Sequence, residues 1–430
     1  MQYFSLQGKA KDTSFKEAVI RGLAEDKGLY FPKTIKKLPK EFIDNLHQYS
    51  DNEIAFTVIN QFIGEEIPET TLKQIISETL SFDFPLIDIE ENIKCLELFH
   101  GPTMAFKDVG ARFMARCMGY FNADNDNEVT VLVATSGDTG GAVASGFLNV
   151  KNVKVVILYP SKKVSEVQEK QLTTLGKNIT ALEVTGTFDD CQAMVKKAFL
   201  DSNITSVKQL TSANSINVAR WLPQMFYFFF AYKQLKAYDK KVIFSVPSGN
   251  FGNICAGMMA ENIGLPIESF IAATNVNDIV PKFMKTGVYK AKPSVQTISN
   301  AMDVGDPSNF VRIQKIYDDN FEKLKRELHS YSFTDDETLE SMLHLYKNYN
   351  YIADPHGAVG YLGLKKHRLN KDTLGIFLET AHPIKFLDVV EPVINKTLPY
   401  PPQIKDVIHK TKKAKSISNY GELKSFLLNN

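Results

Sequence analysis

The sequence predicts an α/β protein of two open, mostly parallel-sheet lobes with a helical N-terminal region. Three observations carry that expectation. From residue 86 onward, short apolar runs are each followed by a Gly or Pro loop and then by a stretch of helical periodicity, which is the mark of repeated strand, loop and helix units. Two of these units share one pattern, an apolar strand followed by Ser-Gly-(Asp or Asn)-x-Gly. Residues 1 to 80 differ, with apolar positions at helical spacing in 14–23 and 51–62.

The elements divide the chain into four segments. Residues 1–85 form the N-terminal helical lobe, broken by the loop Gly28-Leu29-Tyr30-Phe31-Pro32. Residues 86–240 form an α/β lobe: the run Val129 to Ala134 leads into a glycine loop and helix, Val153 to Leu158 precedes a Tyr-Pro loop, and Ile179 to Val184 precedes a helix over Phe188 to Leu200. Residues 241–395 form a second α/β lobe. In it Val242 to Val246 precedes the second glycine loop, Phe270 to Thr274 is a strand, 309–350 is helical in pattern, and Thr373 to Leu378 is a late strand. The Pro-rich stretch Leu398 to Pro402 opens a basic C-terminal tail, 396–430, expected on the surface.

Composition narrows the function. The 430 residues are 44% hydrophobic, enough for large cores. Fifty Lys and Arg against 49 Asp and Glu leave a net charge of +1, so a polyanion surface is not indicated and nucleic acid is not an expected partner. The N-terminus is polar by Lys9, and the richest apolar run, Met225 to Ala231, is far shorter than the ~20 residues that span a bilayer. The expectation is a soluble, cytoplasmic protein with no membrane partner. Its four cysteines are widely separated, which suits reduced core thiols rather than a disulfide framework or zinc site. His100, His356 and His382 sit beside Gly or Pro without an H-E-x-x-H pattern, so no metal is expected.

The two glycine loops, Thr135-Ser136-Gly137-Asp138-Thr139-Gly140 and Ser248-Gly249-Asn250-Phe251-Gly252, can each hold a small anion. Their glycines let N–H groups converge, and the following helix adds partial positive charge at its amino end. Neither matches a dinucleotide or P-loop pattern. A third stretch, His100-Gly101-Pro102-Thr103-Met104-Ala105-Phe106-Lys107-Asp108, sets Lys107 at the mouth of a helix whose apolar residues Phe106, Val109, Phe113, Cys117 and Phe121 face a core. Burial there favours the neutral amine, a nucleophile or Schiff-base partner. Taken alone, the stretch is better read as an ordinary surface lysine beside an exposed Asp108–Arg112 pair, and it is the rest of the chain that reverses this. Two anion cradles and a poised lysine together point to a phosphorylated aldehyde cofactor and an amino-acid carboxylate, the chemistry of pyridoxal 5′-phosphate.

On these motifs, together with Ser212-Ala213-Asn214-Ser215-Ile216-Asn217, Ser299-Asn300-Ala301-Met302-Asp303 and Thr380-Ala381-His382-Pro383-Ile384-Lys385-Phe386, the chain resembles the threonine synthases from end to end. These belong to the pyridoxal-phosphate enzymes of tryptophan synthase β-like fold, fold type II. The resemblance implies a lyase of amino-acid biosynthesis that converts O-phospho-L-homoserine and water to L-threonine and phosphate. It implies that Lys107 is the catalytic lysine and carries the cofactor as a Schiff base. Ser248, Gly249, Asn250, Phe251, Gly252 and Asn253 would hold the cofactor phosphate, and Thr380 would face the pyridine nitrogen. Thr135, Ser136, Gly137, Asp138 and Thr139 would hold the substrate carboxylate; related dehydratases usually carry Asn where this chain has Asp138. Ser212, Asn214, Asn217 and Arg220 are candidates for the substrate phosphate, although Ser and Asn before a helix also read as caps. Two alternatives stay open: a lyase or dehydratase acting on another hydroxy- or phospho-amino compound, and a catalytically silent relative that only binds. Monomer and homodimer are both compatible with the sequence.

Overall fold

The computed structural model describes residues 1–123, 128–235 and 240–430. Two sheets dominate it. The five-stranded sheet runs in the order Ala414–Ile417, Ile179–Val184, Val153–Pro160, Val129–Ala134, Gln209–Thr211, all parallel. The six-stranded sheet runs Leu328–Ser332, Ser269–Thr274, Lys241–Pro247, Thr373–Glu379, Ile93–Glu97, Leu86–Glu90, parallel except for the last pair. Strands such as Val129–Ala134 are buried along their whole length, as central strands covered on both faces must be.

The structure departs from the sequence reading in four places. Leu86–Glu90 and Ile93–Glu97 form a hairpin on the edge of the six-stranded sheet, while the helix and strand that follow them in sequence belong with the other sheet. The N-terminal region is not helical alone, since Thr13–Ser14, Gln2–Ser5 and Tyr30–Pro32 make a small antiparallel sheet. Leu328–Ser332 is a strand inside the stretch read as helical; it is an edge strand whose polar residues need no second covered face. The tail is also built in. Ala414–Ile417 pairs with Ile179–Val184, and Ile417, Leu423 and Leu427 pack with Leu182, Val184 and Cys191.

Aromatic residues close the centre as expected: Trp221 and Met225 to Phe230 are buried in one core. Against Trp221 lies Arg312, also fully buried, its guanidinium carbon 4.4 Å from the ring centre. Among the described residues, no carboxylate pairs with it. It donates instead to the carbonyls of Tyr30 (3.0 Å), Ser215 (3.2 Å) and Ile216 (2.6 Å) and to Asn309 Oδ1 (2.7 Å), joining the N-terminal region to the loop before Val218. Arg312→Leu is expected to lower unfolding free energy by about 3 kcal/mol or more, because the buried Tyr30 carbonyl, the half-buried Ser215 and Ile216 carbonyls and Asn309 lose a charged donor. A urea midpoint equal to the parent's would contradict this. Among the described residues, no helix is long and apolar enough to cross a membrane.

Candidate active site

Three neighbouring strands of the six-stranded sheet, Lys241–Pro247, Thr373–Glu379 and Ile93–Glu97, point the same way and deliver three loops to one edge. Ligands of open α/β sheets gather at such carboxyl ends. The first loop is Ser248–Asn253, the second begins at Thr380, and the third runs from Leu98 to Lys107.

The third loop is docked on the second. Phe106 N–H donates to the Thr380 carbonyl (2.9 Å), His382 N–H donates to the Met104 carbonyl (3.1 Å), and Ala105 bridges Ala381. Lys107 is thereby brought to the first turn of the helix Lys107–Phe121, close to Thr380 in the fold. Asp108 is not the exposed partner of Arg112. It is buried and accepts from Thr103 N–H at 2.9 Å, while Arg112 reaches the Glu78 carbonyl. Gly101 has to be glycine, because a Cβ there would run into the Asp108 carboxylate. Lys107 keeps only 14% of its side chain exposed. Burial pushes its amine below the ordinary lysine range; Asp138 resists that shift, whereas Lys385 and Arg220 add to it.

The Thr135–Thr139 loop comes from the other sheet, at the end of Val129–Ala134. Thr135 Oγ1 accepts from the N–H groups of Gly137 (2.9 Å) and Gly140 (2.8 Å), folding the loop onto itself. Gly137 has φ 136° and lies against Gln168, so a side chain would meet both strain and overlap. The helix Asp138–Phe147 starts here, and its first-turn N–H groups lack intrahelical acceptors. Asp138 is buried, with Oδ2 3.9 Å from Lys107 Nζ and Oδ1 2.8 Å from Lys385 Nζ. Although burial opposes ionisation, the two lysines hold its carboxyl well below the usual range. Ser136 and Thr139 stay partly exposed.

In the Ser248–Asn253 loop three side chains are engaged within the fold. Ser248 donates its hydroxyl to the Val246 carbonyl (2.8 Å), Asn250 bonds Ser215 Oγ and accepts from Ser308 N–H, and the Phe251 ring packs on Phe310. These three side chains shape the loop. Phe251 takes the left-handed conformation, φ 59°, and Gly252 opens the helix Gly252–Asn262. Asn253 differs: both polar atoms of its side chain are buried without a partner. The substrate-phosphate candidates also divide. Asn217 is committed to structure, donating to the Val19 carbonyl (2.8 Å) and capping Ala219 N–H (3.0 Å), so the cap reading replaces the binding one. Asn214 Nδ2 ties its loop to the Ala134 carbonyl at 3.1 Å, with Ser212 bonded to its Oδ1. Arg220 is nearly buried, donates to the Ala213 carbonyl, and leaves Nε without a partner.

Sequence reasoning missed Lys385, Gln168 and a buried acidic network. Glu379, fully buried, accepts from Asp354 N–H at 2.6 Å; Asp354 accepts from Gly357 N–H and lies 2.7 Å from His356 Nδ1. His356 Nε2 accepts from Ala301 N–H, so Nδ1 carries the proton toward Asp354. Burial, reinforced by the charge of Asp354, pushes the Glu379 carboxyl well above the carboxylate range. A carboxyl raised on folding contributes stability that is complete below the unfolded-chain value, about 4.3, and is lost as pH rises through the folded value. Glu379→Gln removes that proton linkage. Its urea midpoint is expected to match the parent's near pH 5 and exceed it at pH 8; identical pH slopes would contradict the assignment.

The family model described as pyridoxal-phosphate dependent enzyme matches residues 87–378. Models for the threonine synthase N terminus and C-terminal region match residues 2–80 and 357–427. The threonine synthase of Buchnera aphidicola subsp. Baizongia pistaciae is 43% identical over 431 residues, covering 100% of both chains. The crystal structure of threonine synthase from Escherichia coli superposes with a TM-score of 0.94 at 40% identity over 100% of both chains. That of the PLP-bound threonine synthase from Brucella melitensis does so at 0.92, with 34% identity over 100% of this chain and 99% of that one.

Proposed function

The chain belongs to the threonine synthase family of pyridoxal-phosphate-dependent enzymes, and on that footing we propose that it converts O-phospho-L-homoserine and water to L-threonine and phosphate. The observation that carries the reading is the convergence of Lys107, Thr380 and the Gly249 loop from three adjacent strand ends, facing the Asp138 loop of the other sheet.

The residues fit the cofactor on features of their own. A Cβ at Gly249 would overlap the Ala301 carbonyl, so the loop is drawn as tight as backbone allows, and the orphaned polar atoms of Asn253 lie beside it. The depressed amine of Lys107 suits attachment to an aldehyde. Gly249–Asn253 would hold the cofactor phosphate, chiefly through N–H groups at the head of the helix Gly252–Asn262. Thr380 would face the ring nitrogen, a neutral hydroxyl that does not favour its protonation. When bound, pyridoxal phosphate supplies an electron sink beside the substrate's amino group.

The remaining tasks fall to the chain. Ser136 and the first-turn amides at Asp138 and Thr139 hold the substrate carboxylate. Ser212, Asn214 and Arg220 take the substrate phosphate. The free Lys107 amine removes the proton at the α carbon and returns one there at the end, and between these steps takes a proton from the β carbon and delivers one to the γ carbon. The Cγ–O bond breaks as phosphate leaves, Cγ gains a proton to become a methyl group, and the oxygen of water bonds to Cβ while the proton that water gives up passes to the departing phosphate. We infer a cytoplasmic monomer or homodimer whose partner is the small-molecule substrate rather than nucleic acid or a membrane; its four buried, unpaired cysteines suit a reducing compartment.

The test is incubation of the purified protein with pyridoxal phosphate and O-phosphohomoserine. Threonine and phosphate in equal amounts are expected. Phosphate with 2-oxobutanoate and no threonine would instead identify a lyase, and no turnover would identify a binding protein.

A further inference from the structure

Lys385 is a second lysine in the site, and the reaction above gives it no task. It lies in the short helix Pro383–Phe386, just beyond Thr380, and its side chain is fully buried. Its Nζ is 2.8 Å from Asp138 Oδ1 and donates to the Thr103 carbonyl at 2.9 Å. Gln168 Nε2 donates to the same Asp138 oxygen at 2.9 Å. With Oδ1 engaged twice, Oδ2 is the oxygen that faces Lys107 Nζ, at 3.9 Å.

A lone carboxylate at that distance would favour the ammonium form of Lys107. An ammonium neither attacks a carbonyl nor takes a proton from carbon. A lone carboxylate would also repel the substrate carboxylate assigned to the same loop. The other charged groups that face Lys107 are Arg220 and Asp354, of opposite sign, while Asp108 on its own helix is tied to Thr103. The balance therefore turns on Lys385.

We propose that Lys385 is a positioning residue: its ammonium takes one oxygen of Asp138, fixes the other toward Lys107, and neutralises the carboxylate so that Lys107 keeps a free amine. The pair performs the work of a neutral side chain while orienting the loop. This rests on the reading of Lys107 as the cofactor lysine.

Recombination of apoenzyme with pyridoxal phosphate tests it without turnover, since attachment needs the free amine. The rate of growth of the borohydride-sensitive band near the visible edge is followed across a pH series for the parent, Lys385→Met, Asp138→Asn and the double variant. Lys385→Met is expected to move the acid limb up by ~1 pH unit, slowing recombination about tenfold on that limb. Asp138→Asn moves it down, and the double variant returns it close to the parent. Single variants that shift the limb in the same direction, or leave it in place, overturn the proposal. Should Lys385→Met fail to fold by circular dichroism, Asp138→Asn and the double variant decide: an unmoved limb in the first, or no return in the second, overturns it. A parent protein that forms no such band removes the reading of Lys107 and this proposal together, whereas a band with an immovable limb removes only the proposal.

Discussion

Lys107→Ala is expected to leave a folded protein whose threonine formation falls by ~10⁴-fold or more, since one side chain both carries the cofactor and moves the protons. The loss is chemical rather than structural. The Lys107 amine stands 3.9 Å from Asp138, whereas the core face of its helix is made by Val109, Phe113, Cys117 and Phe121, which the substitution does not touch. Circular dichroism and the urea midpoint should match the parent, while the band near the visible edge and its sensitivity to borohydride disappear. Turnover close to the parent's, or a retained band, would contradict the assignment.

Gly249→Ala should have the next largest effect. The added methyl would overlap the Ala301 carbonyl and lie 2.8 Å from Met302 Cα. That backbone cannot yield easily. Ala301 N–H is held by His356 at 3.1 Å, and Met302 N–H by the Ser299 carbonyl at 2.9 Å. The loop must move instead, and overpacking of this kind costs about 1–3 kcal/mol, or roughly 10–100-fold in the dissociation constant of pyridoxal phosphate. Gly141→Ala is the contrasting case. Its methyl would meet Gln171 at 3.4 Å, ordinary contact, in the interior of the helix Asp138–Phe147. Cofactor affinity should hold there, with stability rising by about 0.5–1 kcal/mol. Equal cofactor affinities for the two variants, by fluorescence titration, would count against Gly249 as a phosphate cradle.

The contrast between these glycines shows what a sequence can and cannot carry. The pattern Ser-Gly-(Asp or Asn)-x-Gly after an apolar strand is local chemistry, so both loops were legible, as was the helix that opens at Lys107. Pairing partners are not local. Ile93–Glu97 joins Thr373–Glu379, and nothing in the periodicity of either strand names the other. Polar side chains are ambiguous for the same reason. Asn217 and Asn253 look alike in sequence, yet the first spends its amide on the Val19 carbonyl and a helix cap while the second keeps both polar atoms unpaired. Lys385 stands two residues past a His-Pro pair, and nothing local marks it until the fold sets Asp138 against it. The tail misled through composition, its lysines masking Ile417, Leu423 and Leu427, which complete a core.

The most direct measurement is reduction of the cofactor-loaded protein with borohydride, followed by proteolysis and mass spectrometry of the lysine peptides. The account predicts a single phosphopyridoxyl adduct, on Lys107. An adduct on Lys385, or none at all, would contradict it.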